Sequence, residues 1–311
     1  VTSPRSTTAA FAARDWMLLA AAALMWGGSF FLIKIGLTDL PPATVAWLRL
    51  VFGAAALSLL PASRRPLRHR GDWRLVAVLG LVWMAVPFLL FPIAQQTIPS
   101  SLAGMINGAA PLFTALIAVA WYRTSPDRRL VAGLAVGFAG VVTVNLPALE
   151  AHATLGGVTL ILAATVMYGV AFNLAEPLES RNGALAVIWR AELVAVAVLT
   201  PAGLHGLLSS TPSAASMAAM VALGALSTGV AFAFFTVLIG RVGASRASVT
   251  IYLIPVVAIL FGAGLADEPV APMSLVGTAL VLLGAYLASG SRRRRRRPTT
   301  TEPEPAAGRP L

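Results

Sequence analysis

Five ionisable side chains stand inside long apolar runs of this 311-residue chain: Lys34, Arg49, Glu176, Arg190 and Glu192. A charge at the centre of a membrane-spanning helix costs roughly 2.5 kcal/mol or more on insertion scales, so such a residue faces a cavity or a partner. Their types limit the chemistry. Lys34 is the single lysine in a protein that otherwise carries its positive charge on arginine. Arg49 keeps its proton at any ordinary pH, so it offers fixed positive potential to an anion or pairs internally. Desolvation favours the neutral form of a carboxylic acid, which is what a proton-exchanging group uses, so Glu176 and Glu192 are the candidate proton-coupling residues. Arg190 and Glu192 are two apart and lie on different helix faces, so Glu192 needs another neighbour.

Chemistry that makes or breaks bonds finds no support. His69, His152 and His205 fall in loops and form no HExxH-type pair, and no GxxxxGK[ST] loop or nucleophile elbow is present. With no cysteine, thiol chemistry and Cys-ligated metals are excluded. The chain is therefore expected to be no enzyme, with no metal, no cofactor and no P-loop ATP hydrolysis.

The elements that must position these charges are read from hydropathy. Hydrophobic residues make up 58% of the chain and charged ones 11%, where soluble domains carry about 25%; the mean hydropathy is +0.81. Ten apolar runs of about twenty residues recur, near 16–36, 43–60, 75–95, 101–121, 129–146, 157–176, 184–204, 216–239, 246–265 and 271–290. In lipid they must be helices, because an open strand edge leaves its backbone unsatisfied. The first run is too long, and too soon followed by others, for a cleaved leader.

Net charge is +11, yet its distribution is that of topology signals rather than of a nucleic-acid surface. Counting loops alternately from a cytoplasmic N-terminus collects the loop arginines from Arg5 to Arg246, and the run Arg292–Arg297, on one side. The other side holds Asp39, Glu150, Asp267 and Glu268 with no cation. Both termini are thus expected in the cytoplasm of a multi-pass membrane protein, with anionic lipids against the arginine tail. No nucleic-acid partner is expected.

The chain repeats itself. Shifted by 144 residues, Leu79-Gly80 falls on Leu223-Gly224, Phe88 on Phe232, Phe91 on Phe235, Pro111 on Pro255, Gly133 on Gly277 and Gly140 on Gly284. Shifted by 142, Trp26-Gly27 falls on Tyr168-Gly169, Phe30 on Phe172, Trp47 on Trp189 and Lys34 on Glu176. Five helices per repeat is an odd number, so the second half enters the membrane upside down, as in secondary carriers that bind at the repeat interface. The expected fold class is an all-α polytopic membrane protein of ten transmembrane helices in two inverted-topology repeats of five. Its segments are a cytoplasmic stretch 1–14, repeats 15–147 and 156–290, and a basic, disordered tail 291–311.

These positions, with Pro41-Pro42 and Ala109-Ala110-Pro111, resemble the EamA-type family of the drug/metabolite transporter superfamily across residues 16–290. The resemblance implies a ten-helix inner-membrane carrier that exports amino acids, related metabolites or drug-like compounds. Two features depart from its pattern. Where family members often carry an acid after the fourth helix, this chain reads Trp121-Tyr122-Arg123, which argues against symmetric carboxylates; the hexa-arginine tail is also unusual.

The expected function is export of a small metabolite by alternating access, with coupling to the proton gradient; a drug exporter, an importer or a membrane enzyme are the alternatives. Mid-span Pro111 and Pro255 kink their helices and free carbonyls toward a cavity. Trp26, Trp83, Asn107, Tyr168, Asn173, Thr250 and Tyr252 are expected to line that cavity with Lys34 and Arg49, and Gln95-Gln96 to cap the third helix. Gly133, Gly140, Gly277 and Gly284 share helix faces and are expected to serve packing.

Overall fold

The computed structural model describes residues 12–123, 125–150 and 155–289, and among them there is helix and no strand. A helix follows each apolar run: α1 (Ala13–Gly36), α2 (Pro42–Ser58), α3 (Asp72–Ala94), α4 (Ser100–Tyr122), α5 (Arg128–Glu150), α6 (Leu155–Asn182), α7 (Ala184–Leu208), α8 (Ala214–Val242), α9 (Val249–Leu265) and α10 (Pro272–Ser289). Seven of them, α1 and α3 to α8, have the length and hydropathy to cross a membrane; α2, α9 and α10 are shorter apolar helices. At 17 or 18 residues these three stand at the lower limit of spanning length. Residues 1–11 of the expected segment 1–14, His152 and the arginine tail lie outside the described residues.

Three helices are interrupted, and the sequence says why. In α4 the first stretch ends at Asn107 and the second opens with Pro111 in its first turn. Proline lacks the N–H that would reach Asn107 and crowds that carbonyl, so the helix breaks there. Its repeat partner Pro255 sits inside a continuous α9, which comes after a separate turn, Ala244–Ala247. The break in α4 leaves room for it: a Cβ on Gly108 would stand 2.6 Å from the Pro255 ring. The two prolines thus share a register without sharing a kink. Helices α3 and α8 each carry a wide π-type stretch, Gly80–Ala85 and Ala222–Val230. Gly80 admits the Ala191 carbonyl of α7 and Gly224 admits the Arg49 carbonyl of α2; a Cβ would lie 2.8 and 2.6 Å from them.

Packing interleaves the two halves. α1 lies against α8 and α9, and α6 against α3 and α4; α2 contacts α7 and α8, α7 also contacts α3, and α5 crosses α10. Adding five to a label, or subtracting it, turns each of these contacts into another or into itself. The self-mapping pairs show it at atomic level. Trp47 of α2 donates its indole N–H to Thr200 of α7 at 3.0 Å, while its repeat partner Trp189 of α7 donates to the Ala54 carbonyl of α2 at 3.1 Å. At the α5–α10 crossing, a Cβ on Gly133 would meet the Gly284 carbonyl at 2.7 Å, and one on Gly140 the Gly277 carbonyl at 2.8 Å. Only backbones that touch leave so little room, which is how membrane helices gain contact without a hydrophobic drive.

Candidate functional site

Where α1, α3, α6 and α8 face one another they enclose a cavity of about 550 Å³. Four repeat-equivalent aromatic pairs line it: Trp26 and Tyr168, Phe30 and Phe172, Phe88 and Phe232, Phe91 and Phe235. Their contacts repeat as well. Trp26 meets Phe235 edge-on at 4.9 Å between centroids, and the equivalent pair Tyr168 and Phe91 stacks at 5.9 Å. Trp83 adds an edge contact to both Phe172 and Phe232, each at 5.6 Å. The lining runs from Asn107, Ala110 and Ile254 down to Ser180, Ala184, Ile239 and Ala244, at the end of the molecule that carries the basic loops.

The polar groups of the cavity do not repeat. Arg49, on α2, is buried. Its Nε donates to Thr228 Oγ1 of α8 at 3.1 Å, and its guanidinium carbon lies 3.8 Å from the centroid of the Phe88 ring. This aromatic face and one hydroxyl hold the cation; among the described residues no carboxylate comes within 4.0 Å of it. Behind it, Glu192 of α7 is fully buried, and neither carboxylate oxygen has a hydrogen-bond partner. Glu192 and Tyr168 are the electrostatic neighbours of Arg49. Asn107, at the end of the first stretch of α4, adds a buried side-chain Oδ1 without a hydrogen bond. Glu176 and Glu179, in the last two turns of α6, line the basic-loop end.

The other end is closed. A Cβ on Gly27 would meet the Val257 side chain at 2.4 Å and one on Gly104 the Ala258 methyl at 2.2 Å, so the glycine faces of α1 and α4 lie directly against side chains of α9. Outside this contact Lys34 Nζ pairs with Glu268 Oε1 at 2.9 Å; the lysine side chain is 43% exposed and the glutamate 4%. Glu268 also accepts from the Ser100 N–H and hydroxyl, both at 2.9 Å, and from the Ser101 N–H at 2.8 Å. An anion at a helix start is favoured by unpaired N–H groups and the helix dipole. Burial pushes the Glu268 acid up; the Lys34 ammonium and the Ser101 and Ser100 amides outweigh it and hold it at about 2. Gly262 makes the pocket for this carboxylate, since a Cβ there would stand 2.5 Å from Glu268 Oε2. Gln95 and Gln96 line a smaller, open recess beside Lys34.

Of the residues singled out from sequence, Trp26, Trp83, Arg49, Asn107, Tyr168 and Glu176 share the cavity, with Glu192 behind it. Lys34 does not line it, and its partner is Glu268 rather than its repeat counterpart Glu176. Asn173 braces α6 to α4 through the Thr114 carbonyl at 3.0 Å. Tyr252 donates to the Ala285 carbonyl of α10 at 3.1 Å, and Pro111 and Pro255 shape the surrounding helices. Thr250 is buried in α9 away from the lining. Arg190 holds the 59–71 loop through the Ser63 carbonyl at 3.0 Å. Sequence reasoning passed over Thr228, Glu179 and the pairing of Glu268. Glu179 lies three residues after Glu176, on the same helix face, and the coincidence of aromatics under both shifts already marked the lining.

Comparison with known proteins agrees with this architecture. The profile of the EamA-like transporter family matches twice, over residues 16–146 and 155–290. The chain belongs to the EamA-like transporter family. It is 28% identical over 269 residues, 84% of this chain and 89% of the other, to a "Probable terminal-alkyne amino-acid exporter" of Streptantibioticus cattleyicolor. A "Probable amino-acid metabolite efflux pump" of Escherichia coli is 26% identical over 288 residues, covering 88% and 94%. The "Uncharacterized inner membrane transporter YedA" of the same species is 27% identical over 279 residues, covering 85% and 89%. A solved crystal structure at 20% identity superposes with a TM-score of 0.63 over 88% of this chain and 96% of that one, which speaks for the fold. As a family member the protein is a multi-pass membrane transporter, and two of these relatives are named as an exporter or efflux pump of amino-acid compounds.

Proposed function

We propose that this protein exports a small metabolite, an amino acid or a related compound, across the bacterial inner membrane by alternating access. The observation that carries the reading is one cavity lined by equivalent residues of both halves, closed at the Lys34–Glu268 end and reaching the basic-loop end. All ten helices cross, in two inverted repeats of five, and the interleaved packing supports that arrangement. The basic loops face the cytoplasm, so this conformation receives substrate from inside. Parting Glu268, with Lys34 beside it, from Ser100 and Ser101 at the start of α4 while the basic end closes would release it outside. The moving bodies are α1 with α8 and α9, and α6 with α3 and α4, because those helices pack together across the sequence repeats. Glu192, buried and without hydrogen bonds beside Arg49, is the group that takes up and releases the coupling proton.

The test is a comparison of metabolites outside cells with and without the protein. At least one amino-acid-like compound should accumulate externally, and a protonophore should abolish the difference. Glu192→Gln should still bind that compound while losing its dependence on the proton gradient. An unchanged external profile refutes export, and a compound depleted outside would mean import.

A further inference from the structure

The basic loops differ in how their charge is balanced. Arg241 pairs with Asp15, and Asp127 precedes Arg128 and Arg129 in the chain. The 59–71 loop and the first turn of α3 carry five exposed arginines, Arg64, Arg65, Arg68, Arg70 and Arg74, against a single acid. That acid, Asp72, is buried and already taken: it accepts from Arg181 at 3.0 Å and from the Asn182 amide at 2.9 Å. Among the described residues no carboxylate comes within 4.0 Å of any of the five. Like charges gathered in eleven residues of chain repel one another, and an anionic partner relieves that cost.

A fixed frame presents these arginines. The Ser63 carbonyl accepts from buried Arg190 of α7 at 3.0 Å, and the Arg190 guanidinium lies 5.8 Å from the Trp73 ring and 5.5 Å from that of Trp189. The Arg68 N–H donates to the Asn182 side chain at 2.8 Å, and Arg64 Nε donates to the Ser58 carbonyl at 2.6 Å. Next to the cations the outer face of α3 is apolar and uncovered. Leu75, Val78 and Leu81 are 39%, 42% and 40% exposed. They continue the helix face on which Arg74 stands one turn before Val78. Half-exposed Trp73 marks the border between the two, where the headgroup level favours indole rings.

A soluble anion would answer the arginines and leave the apolar face bare; a neutral lipid would cover that face and leave the arginines unanswered. We infer that this corner binds an anionic phospholipid of the leaflet on the basic-loop side, its phosphate among the arginines and its acyl chains along Leu75, Val78 and Leu81. Guanidinium–phosphate hydrogen bonds provide the selectivity for the headgroup, and basic segments at a membrane surface attract anionic lipid. The site adjoins the mouth of the cavity. Arg181 and Asn182 directly follow Ser180, which lines that mouth, and Arg190 comes two residues after the lining residue Ile188. A bound lipid therefore braces α3, α6 and α7 where the cavity opens. The inference needs only that the protein lies in a membrane, and it stands apart from the export reading.

The test titrates the purified full-length protein in detergent with phosphatidylglycerol, cardiolipin and phosphatidylcholine. Bound lipid is counted by native mass spectrometry, and the thermal unfolding midpoint is the second readout. Both anionic lipids should bind at least about tenfold more tightly than phosphatidylcholine and should raise the midpoint. The exposed substitutions Arg70→Gln and Arg74→Gln should each weaken anionic-lipid binding about fivefold, and together they should remove most of the midpoint shift. The arginine run of the tail is a second source of attraction, so a full-length variant with Arg292→Gln through Arg297→Gln is the comparison. It should keep the midpoint shift. Equal binding of anionic and neutral lipids overturns the inference, as does a preference lost with the tail arginines and kept without Arg70 and Arg74. Inorganic phosphate that reproduces the midpoint shift would make this a site for soluble anions and overturns the lipid as its occupant. None of these results alters what the external-metabolite comparison says about export.

Discussion

The two ends of the cavity are built on one backbone plan and differ in a handful of side chains. At the closed end the chain leaves α9 through Asp267 with a left-handed φ of 49°; at the open end it leaves α4 through Arg123, the residue 144 positions earlier, with φ of 48°. The fold therefore makes the same turn twice. The residue after each turn is different. Glu268 seats its carboxylate on the start of α4 and pairs with Lys34, whereas the equivalent position 124 is a threonine, outside the described residues. Gly262, which makes room for that carboxylate, is matched by Ala118, and Lys34 by Glu176. Each part of the closed end is thus replaced at the open end by a residue that cannot do the same work. Backbone symmetry gives a carrier two interconvertible forms, and side-chain asymmetry biases which form is occupied.

Substitutions at either end test this asymmetry. The largest effect is expected from Glu268→Gln, which removes the charge that Lys34 and the start of α4 share. In a protein without native cysteine, a Ser29→Cys reporter in the cavity should become reactive to an impermeant thiol reagent from the acidic-loop side, about tenfold faster than before. If its reactivity stays at background, Lys34–Glu268 does not hold that end shut. Gly262→Ala should act in the same direction to a lesser degree, because the added methyl displaces the carboxylate but leaves its charge. A smaller, opposite change is expected from the combination Ala118→Gly, Thr124→Glu and Glu176→Lys, which transplants the pair to the open end. A cysteine at Ala184 should then react severalfold more slowly from the basic-loop side, and no slowing would mean that the pair needs more than its equivalents.

The pH experiment should show the smallest effect. The Glu268 carboxyl, held at about 2, lies below its unfolded value near 4.3. Its contribution is therefore complete above that value and declines only as pH falls toward about 2. Lowering the pH on the acidic-loop side from about 7.5 to about 5.5 should leave Ser29→Cys reactivity unchanged. A rise over that interval would assign proton sensing to the closing pair instead of to Glu192.

How much of this was legible from residues alone differs by level. The helices were, because a run of about twenty apolar residues in lipid has no other way to satisfy its backbone. The glycine faces of α5 and α10 were legible as packing surfaces from matched small residues, but not that the two faces meet each other. The aromatic lining was legible only in part: the coincidences under two shifts named the rings without saying that all eight face one space. The partners of the charges were not. Lys34 lies 234 residues from Glu268 and Arg49 lies 179 residues from Thr228, distances at which no periodicity links two positions. Asn173 and Tyr252, polar side chains in the same helices, turn instead to carbonyls of neighbouring helices.

Hydropathy and loop charge are local quantities, and they were enough to establish the apolar helices, their two-fold repetition and the basic and acidic ends. They also placed Arg49 and Glu192 in apolar surroundings. Tertiary packing was needed to establish that the halves interleave, that the cavity is closed at the Lys34 end, and which cation meets a carboxylate. Those outcomes depend on how closely helices approach, at Gly27, Gly104 and Gly262, and on which side chain then fills the remaining space.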